Sequence, residues 1–224
     1  THNWRVSYIM KTELSITEEN YIKTIYHLSA GGNENVNTNA IADAMSTTAA
    51  SVSDMLRKLS DKKLADYEKY KGVQLTESGI LIARRLVRAH RLWEVFLAEK
   101  LNYEWHEVHE LAERLEHIRD ENFVTRLDNF LGNPQYDPHG DPIPDANGNI
   151  EKSNAVPLST LNKGATAVVV GVKNSSSNFL QYLDSIDIAL GTKLKVMNVF
   201  NFDSSVEIKL PKKTISVSAK AAEH

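Results

Sequence analysis

Apolar residues recur at helical spacing through the first half of the chain and at strand spacing through its last third, so the period itself divides the sequence. Behind Ser15, the positions Tyr21, Ile25 and Leu28, with Ile22 and Tyr26 alongside, outline an amphipathic first helix. Ser15 followed three residues later by Glu18 is a capping-box start, and Gly31-Gly32 is a stop. Ile41, Ala42 and Met45 mark a short helix over 38–45, and Val52, Met55, Leu56 and Leu59 mark another after Ser46-Thr47-Thr48. Two short helices joined by a few small polar residues predict a helix-turn-helix. Leu64-Ala65-Asp66-Tyr67 and Val73-Gln74-Leu75 flank Glu68-Lys69-Tyr70-Lys71-Gly72, the pattern of a small β-hairpin, or wing.

Thr76 then opens a long helix over 77–101 bearing Ile80, Ala83, Leu86, Val87, Trp93 and Leu97. A further helix is expected over 104–121, and a shorter one over 123–131 with Phe123, Leu127, Phe130 and Leu131. Helical hairpins carrying this much apolar surface suit a dimer interface. Five of the six prolines crowd residues 132–157, together with Asp145-Ala146-Asn147-Gly148, which predicts a linker or long ordered loop. From Leu158 the texture turns to strands, expected over 166–172, 193–200, 206–210 and 214–217, enough for a small β-barrel of SH3-like size. Residues 1–14 show no period and are expected to be unstructured or appended, with Met10 an alternative start. The expected class is α+β: a winged helix-turn-helix domain over 15–75, an all-α dimerisation domain with its linker over 76–150, and the barrel over 151–224.

Composition narrows the chemistry. The 224 residues contain no cysteine, which excludes disulfide scaffolds, thiolate nucleophiles and thiolate-bound metals. The longest apolar stretch, around 165–172, falls well short of the roughly 18 residues a membrane helix needs. No charged-then-apolar leader opens the sequence, so a cytoplasmic location without membrane partners is expected. A net charge of −3, from 26 basic and 29 acidic residues, argues against a nucleic-acid partner unless the basic residues are local. They are: Arg57, Lys58, Lys62, Lys63, Lys69 and Lys71 lie close together, whereas carboxylates thicken between Glu94 and Glu121. The second helix of the pair opens on Thr48, Ala49, Ala50, Ser51 and Ser53, side chains small enough to bring a helix N-terminus against base edges in a major groove. Thr38 and Lys58 join this candidate DNA surface, and Lys69, Tyr70 and Lys71 at the hairpin tip suit a phosphate backbone. The alternative is a helical subdomain with no DNA role.

His109, Glu113, Glu116 and His117 stand at offsets of zero, four, seven and eight, one stripe of the helix expected over 104–121. His90 and Glu94 repeat the pattern one turn apart on the preceding helix. Burying unpaired carboxylates and imidazoles costs several kcal/mol apiece, which a divalent cation offsets. The competing explanation is a solvated face in which Arg114 and Arg119 pair with the carboxylates. Imidazole with hard carboxylate oxygens and no sulfur suits Mn²⁺ or Fe²⁺, and Zn²⁺ binds such donors too.

Beyond these patterns, the sequence resembles the diphtheria toxin repressor family of iron- and manganese-dependent regulators from about Thr17 onward. The resemblance is carried by Glu19-Asn20-Tyr21-Ile22-Lys23-Thr24-Ile25-Tyr26, Tyr67-Glu68-Lys69-Tyr70-Lys71-Gly72, Leu75-Thr76-Glu77-Ser78-Gly79, His90-Arg91-Leu92-Trp93-Glu94, Val108-His109 through Glu116-His117, and Asp141-Pro142-Ile143-Pro144. It implies a homodimeric repressor that binds a palindromic double-stranded operator when metal is present and controls metal-homeostasis genes, with no small organic substrate. It further implies a regulatory metal site at Glu113, Glu116 and His117 with a contribution from Asn20, and an ancillary site at His90, Glu94 and His109. Family members often carry Met or Asp where Asn20 stands, and some carry SH3-domain ligands where Ser175 and Asn178 appear here. Glu113 replaces the Cys of some iron-responsive relatives, which favours Mn²⁺ ahead of Fe²⁺. Two rivals stand beside this expectation: a metal-dependent hydrolase using the same cluster, and a DNA-binding protein indifferent to metal.

Overall fold

The computed structural model describes residues 13–151 and 153–224. The expectation for the N-terminal segment, Met10 included, falls almost entirely outside the described residues. These divide into two compact units: one holds the chain through His90 with Leu115–Asn122 and Pro144–Asn149, the other Arg91–Arg114, Phe123–Ile143 and Ile150–His224. None of the described helices is long and apolar enough to cross a membrane.

In the first unit, α1 (Ile16–Leu28), α2 (Thr38–Ala44) and α3 (Ala49–Asp61) precede a hairpin of β1 (Ala65–Glu68) and β2 (Gly72–Leu75). Each helix begins where a side chain satisfies an otherwise orphaned backbone donor. Ser15 Oγ accepts from the Glu18 amide at 3.2 Å while Glu18 Oε2 accepts from the Ser15 amide at 2.7 Å, completing the capping box. Asn37 Oδ1 accepts from the Ala40 amide at 2.8 Å, and Thr48 Oγ1 from the Ser51 amide at 3.2 Å. Ile22, Ile25, Ile41, Val52, Leu56 and Leu59 are fully buried between the helices, each contributing roughly 1.5–3 kcal/mol. The wing pairs antiparallel from Ala65↔Leu75 to Glu68↔Gly72, and Val36 adds an isolated antiparallel bridge to Val73. At Gly72 a Cβ would lie 2.5 Å from the Val36 carbonyl oxygen, so only glycine permits that close approach of the Val36 backbone.

Helix α4 (Glu77–Leu101) is buried along most of its length, with Ile82, Ala83, Leu86, Val87, Leu92, Trp93, Val95 and Leu97 in the interior. Its first turn crosses the wing closely: a Cβ at Gly79 would stand 2.1 Å from the Leu64 carbonyl oxygen.

In the second unit, α5 (Val108–Leu115) and α6 (Glu121–Phe130) follow. Trp93 packs against Phe96 and Phe123 at 5.6 and 5.8 Å between ring centroids, and Phe96 against Phe130 at 6.4 Å. The proline-rich stretch is an ordered loop, not a free linker. Asp137 Oδ1 accepts from the amides of His139 (2.8 Å) and Asp141 (2.9 Å). The His139 carbonyl accepts from the Val172 amide at 3.0 Å. Beyond it, β3 (Thr166–Val168), β4 (Lys193–Val199), β5 (Val206–Lys209) and β6 (Thr214–Val217) form one antiparallel sheet in sequential order, bulged between Val196 and Asn198. Leu194, Val196, Val206, Ile208 and Val217 form its core with Leu183.

Two expectations change. The helix read over 104–121 is helical only over Val108–Leu115, so Glu116 and His117 lie in the following turn and the single-stripe argument for four ligands does not hold. No Gly or Pro ends it. Instead, buried polar partners hold Glu116 and His117 off the helix, as the site geometry below details. The C-terminal region also contains α7 (Ser177–Ser185) and the short α8 (Ala219–Ala222) among its strands. Leu180 and Leu183 bury one face of α7, an i, i+3 signal masked by the serine run that precedes it.

Candidate metal centres and nucleic-acid interface

The first unit gathers acids and bases from three elements far apart in sequence. Glu19, Asn20 and Lys23 share α1, His90 comes from α4, and Glu116 and His117 from the turn after α5. Lys23 Nζ donates to Glu116 Oε2 at 2.7 Å and lies 2.6 Å from Oε1, although out of line for a hydrogen bond there. His90 Nδ1 sits 2.6 Å from Glu116 Oε2, and His117 Nδ1 2.7 Å from Glu19 Oε2. A carboxylate only accepts, so both imidazoles donate from Nδ1. His117 Nε2 lies 3.9 Å from Glu116 Oε1. Arg119 pairs with Glu19 Oε1 at 2.8 Å and donates to the Leu14 carbonyl, anchoring the turn against the start of α1.

These residues fit a divalent cation. Asn20 Oδ1 is buried with no hydrogen-bond partner, an uncompensated acceptor of the kind native interiors rarely tolerate without a ligand. With Glu116 and the His117 imidazole it supplies a sulfur-free oxygen and nitrogen donor set. Glu19 and Lys23 are absent from the sequence-derived ligand set. Their signal was present, since both are charged positions on the apolar side of α1, and both are buried.

In the second unit, Glu94 lies between two imidazoles: Oε1 is 3.2 Å from His109 Nδ1 and Oε2 3.5 Å from His139 Nδ1. His109 Nε2 is 3.8 Å from Glu113 Oε1. Ligand atoms of Glu94, Asp137 and His139 lie within 4.8 Å of one another, and all three residues are buried. His139 Nε2 is 2.7 Å from the Trp105 carbonyl oxygen and donates to it, which directs Nδ1 toward the carboxylates. Such a backbone anchor is the usual orienting contact behind a metal-ligating histidine. Burial, then the negative fields of Glu94 and Asp141, push the Asp137 carboxyl up to about 7 against the opposing Arg91 guanidinium. Burial by itself would lower the His139 pKa, but the hydrogen bond and charge of Glu94 raise it. Sequence reading missed Asp137 and His139 because they stand in the proline-rich segment, read as a linker or long ordered loop and given no chemistry. The signal available was Asp137-Pro138-His139-Gly140-Asp141, a histidine between two acids. Ser175 is half-buried and Asn178 exposed.

On the opposite chemistry, α3 presents Thr48, Ala50, Ser51 and Lys58 to solvent, while Thr38 is half-buried at the start of α2. Ser53 is half-buried and accepts from the Tyr67 hydroxyl at 3.3 Å. At the wing tip Tyr70 is 92% exposed, with Lys69 Nζ 5.0 Å from its ring centre. Lys71 pairs with Glu68 and Arg57 with Asp54 on the surface, whereas Lys62 is structural, bonded to buried Glu18 at 2.7 Å.

Three family models match consecutive parts of the chain. They are the iron dependent repressor N-terminal DNA binding domain over 13–73, the iron dependent repressor metal binding and dimerisation domain over 76–145, and the FeoA domain over 156–224. Among solved structures, the chain is similar to a manganese-dependent transcriptional repressor in complex with manganese. The identity is 34%, covering 92% of this chain and 96% of that one, with a TM-score of 0.83. It is 34% identical over 132 residues to the iron-dependent repressor IdeR of Mycobacterium bovis, 59% of this chain and 57% of that protein. It is 44% identical over 70 residues, 31% of this chain, to a probable metal transport system membrane protein of Chlamydia trachomatis, of which it spans 16%.

Proposed function

We propose, from the premise that this chain belongs to the iron-dependent repressor family, that it is a transcriptional repressor whose grip on a palindromic operator depends on a bound divalent metal. It acts as a homodimer, and as a DNA-bound regulator it works in the cytoplasm. Asn20, Glu113, Glu116 and His117 form the regulatory ligand set. His90, Glu94 and His109 form the ancillary set, and Asp137 and His139 extend the donors around Glu94. The observation that carries this reading is the convergence of α1 with the turn after α5 through His117–Glu19 and Lys23–Glu116, both buried. Because α1 packs under the helix-turn-helix, whatever fixes that turn also fixes the platform of the reading head.

The hard, sulfur-free donors support Mn²⁺, then Fe²⁺, with Zn²⁺ able to occupy the same residues. A divalent ion held by Asn20, Glu113, Glu116 and His117 would supply the positive charge that the carboxylates and the Asn20 amide oxygen call for. The chain's own residues do the rest. Glu19 orients the His117 imidazole, α1 carries Glu19 and Asn20 beneath the helix-turn-helix, and α3 with the wing meets DNA through Thr48, Ala50, Ser51, Lys69 and Tyr70. Differential affinity of this kind is typically worth about 1–3 kcal/mol. The test is operator binding titrated with Mn²⁺, Fe²⁺ and Zn²⁺ against a chelated control. Binding that is strong with Mn²⁺, weak with chelator, and unresponsive in a Glu116→Ala, His117→Ala double variant is expected. Operator binding indifferent to chelator would refute the proposal.

A further inference from the structure

We infer that Lys23 is a tethered cation that competes with the metal for Glu116 and so sets the metal concentration at which the protein responds. This rests on the metal-dependent reading above and concerns the same site.

The geometry is specific. Lys23 Nζ lies within 2.7 Å of both Glu116 oxygens, and the two residues are only 8% and 2% exposed. The other groups facing Glu116 are His90, whose Nδ1 lies 2.6 Å from Oε2, and His117, whose Nε2 lies 3.9 Å from Oε1. Among these three groups only the ammonium carries a fixed positive charge, and it reaches the carboxylate across 93 residues of sequence from α1. A carboxylate withdrawn from water is strongly destabilised unless a cation offsets its charge. Lys23 supplies that offset in the absence of metal. A divalent ion at Glu116 must therefore displace the ammonium or share the carboxylate with it at like-charge cost. Either way the metal-free state is stabilised and the apparent metal affinity falls. Lys23 also stands one turn from Asn20 on α1, so the side chain that opposes metal and the amide that welcomes it ride on one helix.

The experiment uses the full chain, measuring Mn²⁺ affinity by calorimetry and the melting temperature with chelator or saturating Mn²⁺. Lys23→Met keeps the aliphatic stem and removes the charge. It is expected to tighten Mn²⁺ binding on the order of tenfold, as buried charge compensation of this kind implies. It is also expected to lower the melting temperature of the metal-free form while leaving the Mn²⁺-saturated form close to wild type. Lys23→Arg, which restores a positive charge, should return both values toward wild type. Should Lys23→Met not fold without metal, Lys23→Gln is read in the same way. Unchanged or weaker Mn²⁺ affinity in the neutral variants would overturn the inference and assign Lys23 to orienting Glu116. A wild-type chain that takes up no Mn²⁺ would overturn the metal reading itself, and the inference with it.

Discussion

Asp137 and His139 are buried beside Glu94, and their ionisation should be visible in the stability of the metal-free protein. The Asp137 carboxyl is raised from its usual 3.8 to about 7, and His139 is raised as well. Asp137 therefore holds its proton in the folded chain between about pH 4 and 7, where the unfolded chain has released it, and His139 does the same from its ordinary 6.5 upward. Stability must fall as pH rises through that interval. In chelator, the melting temperature is expected to decline between about pH 4 and 7 by this linkage. Asp137→Asn should flatten the decline, because its amide oxygen still accepts the His139 and Asp141 amides while carrying no charge to desolvate. Thermal melts of both proteins across the range check this, and an equal slope in the two would contradict it. At the other cluster, Glu19 holds His117 at 2.7 Å. Glu19→Ala should weaken Mn²⁺ binding about 10- to 100-fold, as loss of an orienting partner does. Calorimetry reads this directly.

Among the elements, the helix-turn-helix and wing divide their labour between shape and charge. Thr48 is both the cap of α3 and part of its exposed face. Thr48→Ala should cost about 1 kcal/mol in urea unfolding and also change the preference among operator variants. Thr48→Ser should keep the cap and isolate the second effect. Lys69→Ala should weaken binding to every DNA sequence and reduce the salt slope by about one. Lys71→Ala should do less, since Lys71 already pairs with Glu68 at 2.7 Å. Binding isotherms at several salt concentrations separate these cases. The start of α1 was legible in the sequence because Ser15 and Glu18 satisfy each other's backbone donors three residues apart, and the caps that Asn37 and Thr48 form are equally local although sequence reading did not single them out. The end of α5 was not legible, because the partners that pull Glu116 and His117 off the helix are 26 to 98 residues distant.

For the whole molecule, the decisive surface is apolar. Phe130 is 64% exposed and Phe123 41%, even though Phe123 packs on Trp93 and Phe130 on Phe96. Residues of this size left in water are characteristic of a contact surface, in keeping with a dimerisation domain matched over 76–145. Phe130→Glu is expected to shift sedimentation toward the monomer and to lower operator affinity with it, while the melting temperature changes little. A variant that still sediments as the dimer would place the interface elsewhere.

What the sequence determined by itself is whatever depends on neighbours within a few residues: the caps, the helical and strand periods, the wing turn, the absence of thiolate chemistry, and the residue types available to a metal. Which acid meets which base was decided only by the tertiary structure. Helical spacing put four ligands on one stripe, yet the fold sets Glu116 and His117 in a turn, gives them Lys23, His90 and Glu19 as partners, and brings Asp137 and His139 out of a proline-rich loop to Glu94. The physical reason is range. Backbone hydrogen bonding is satisfied locally, whereas a buried charge must find its counter-charge wherever the packed chain delivers one.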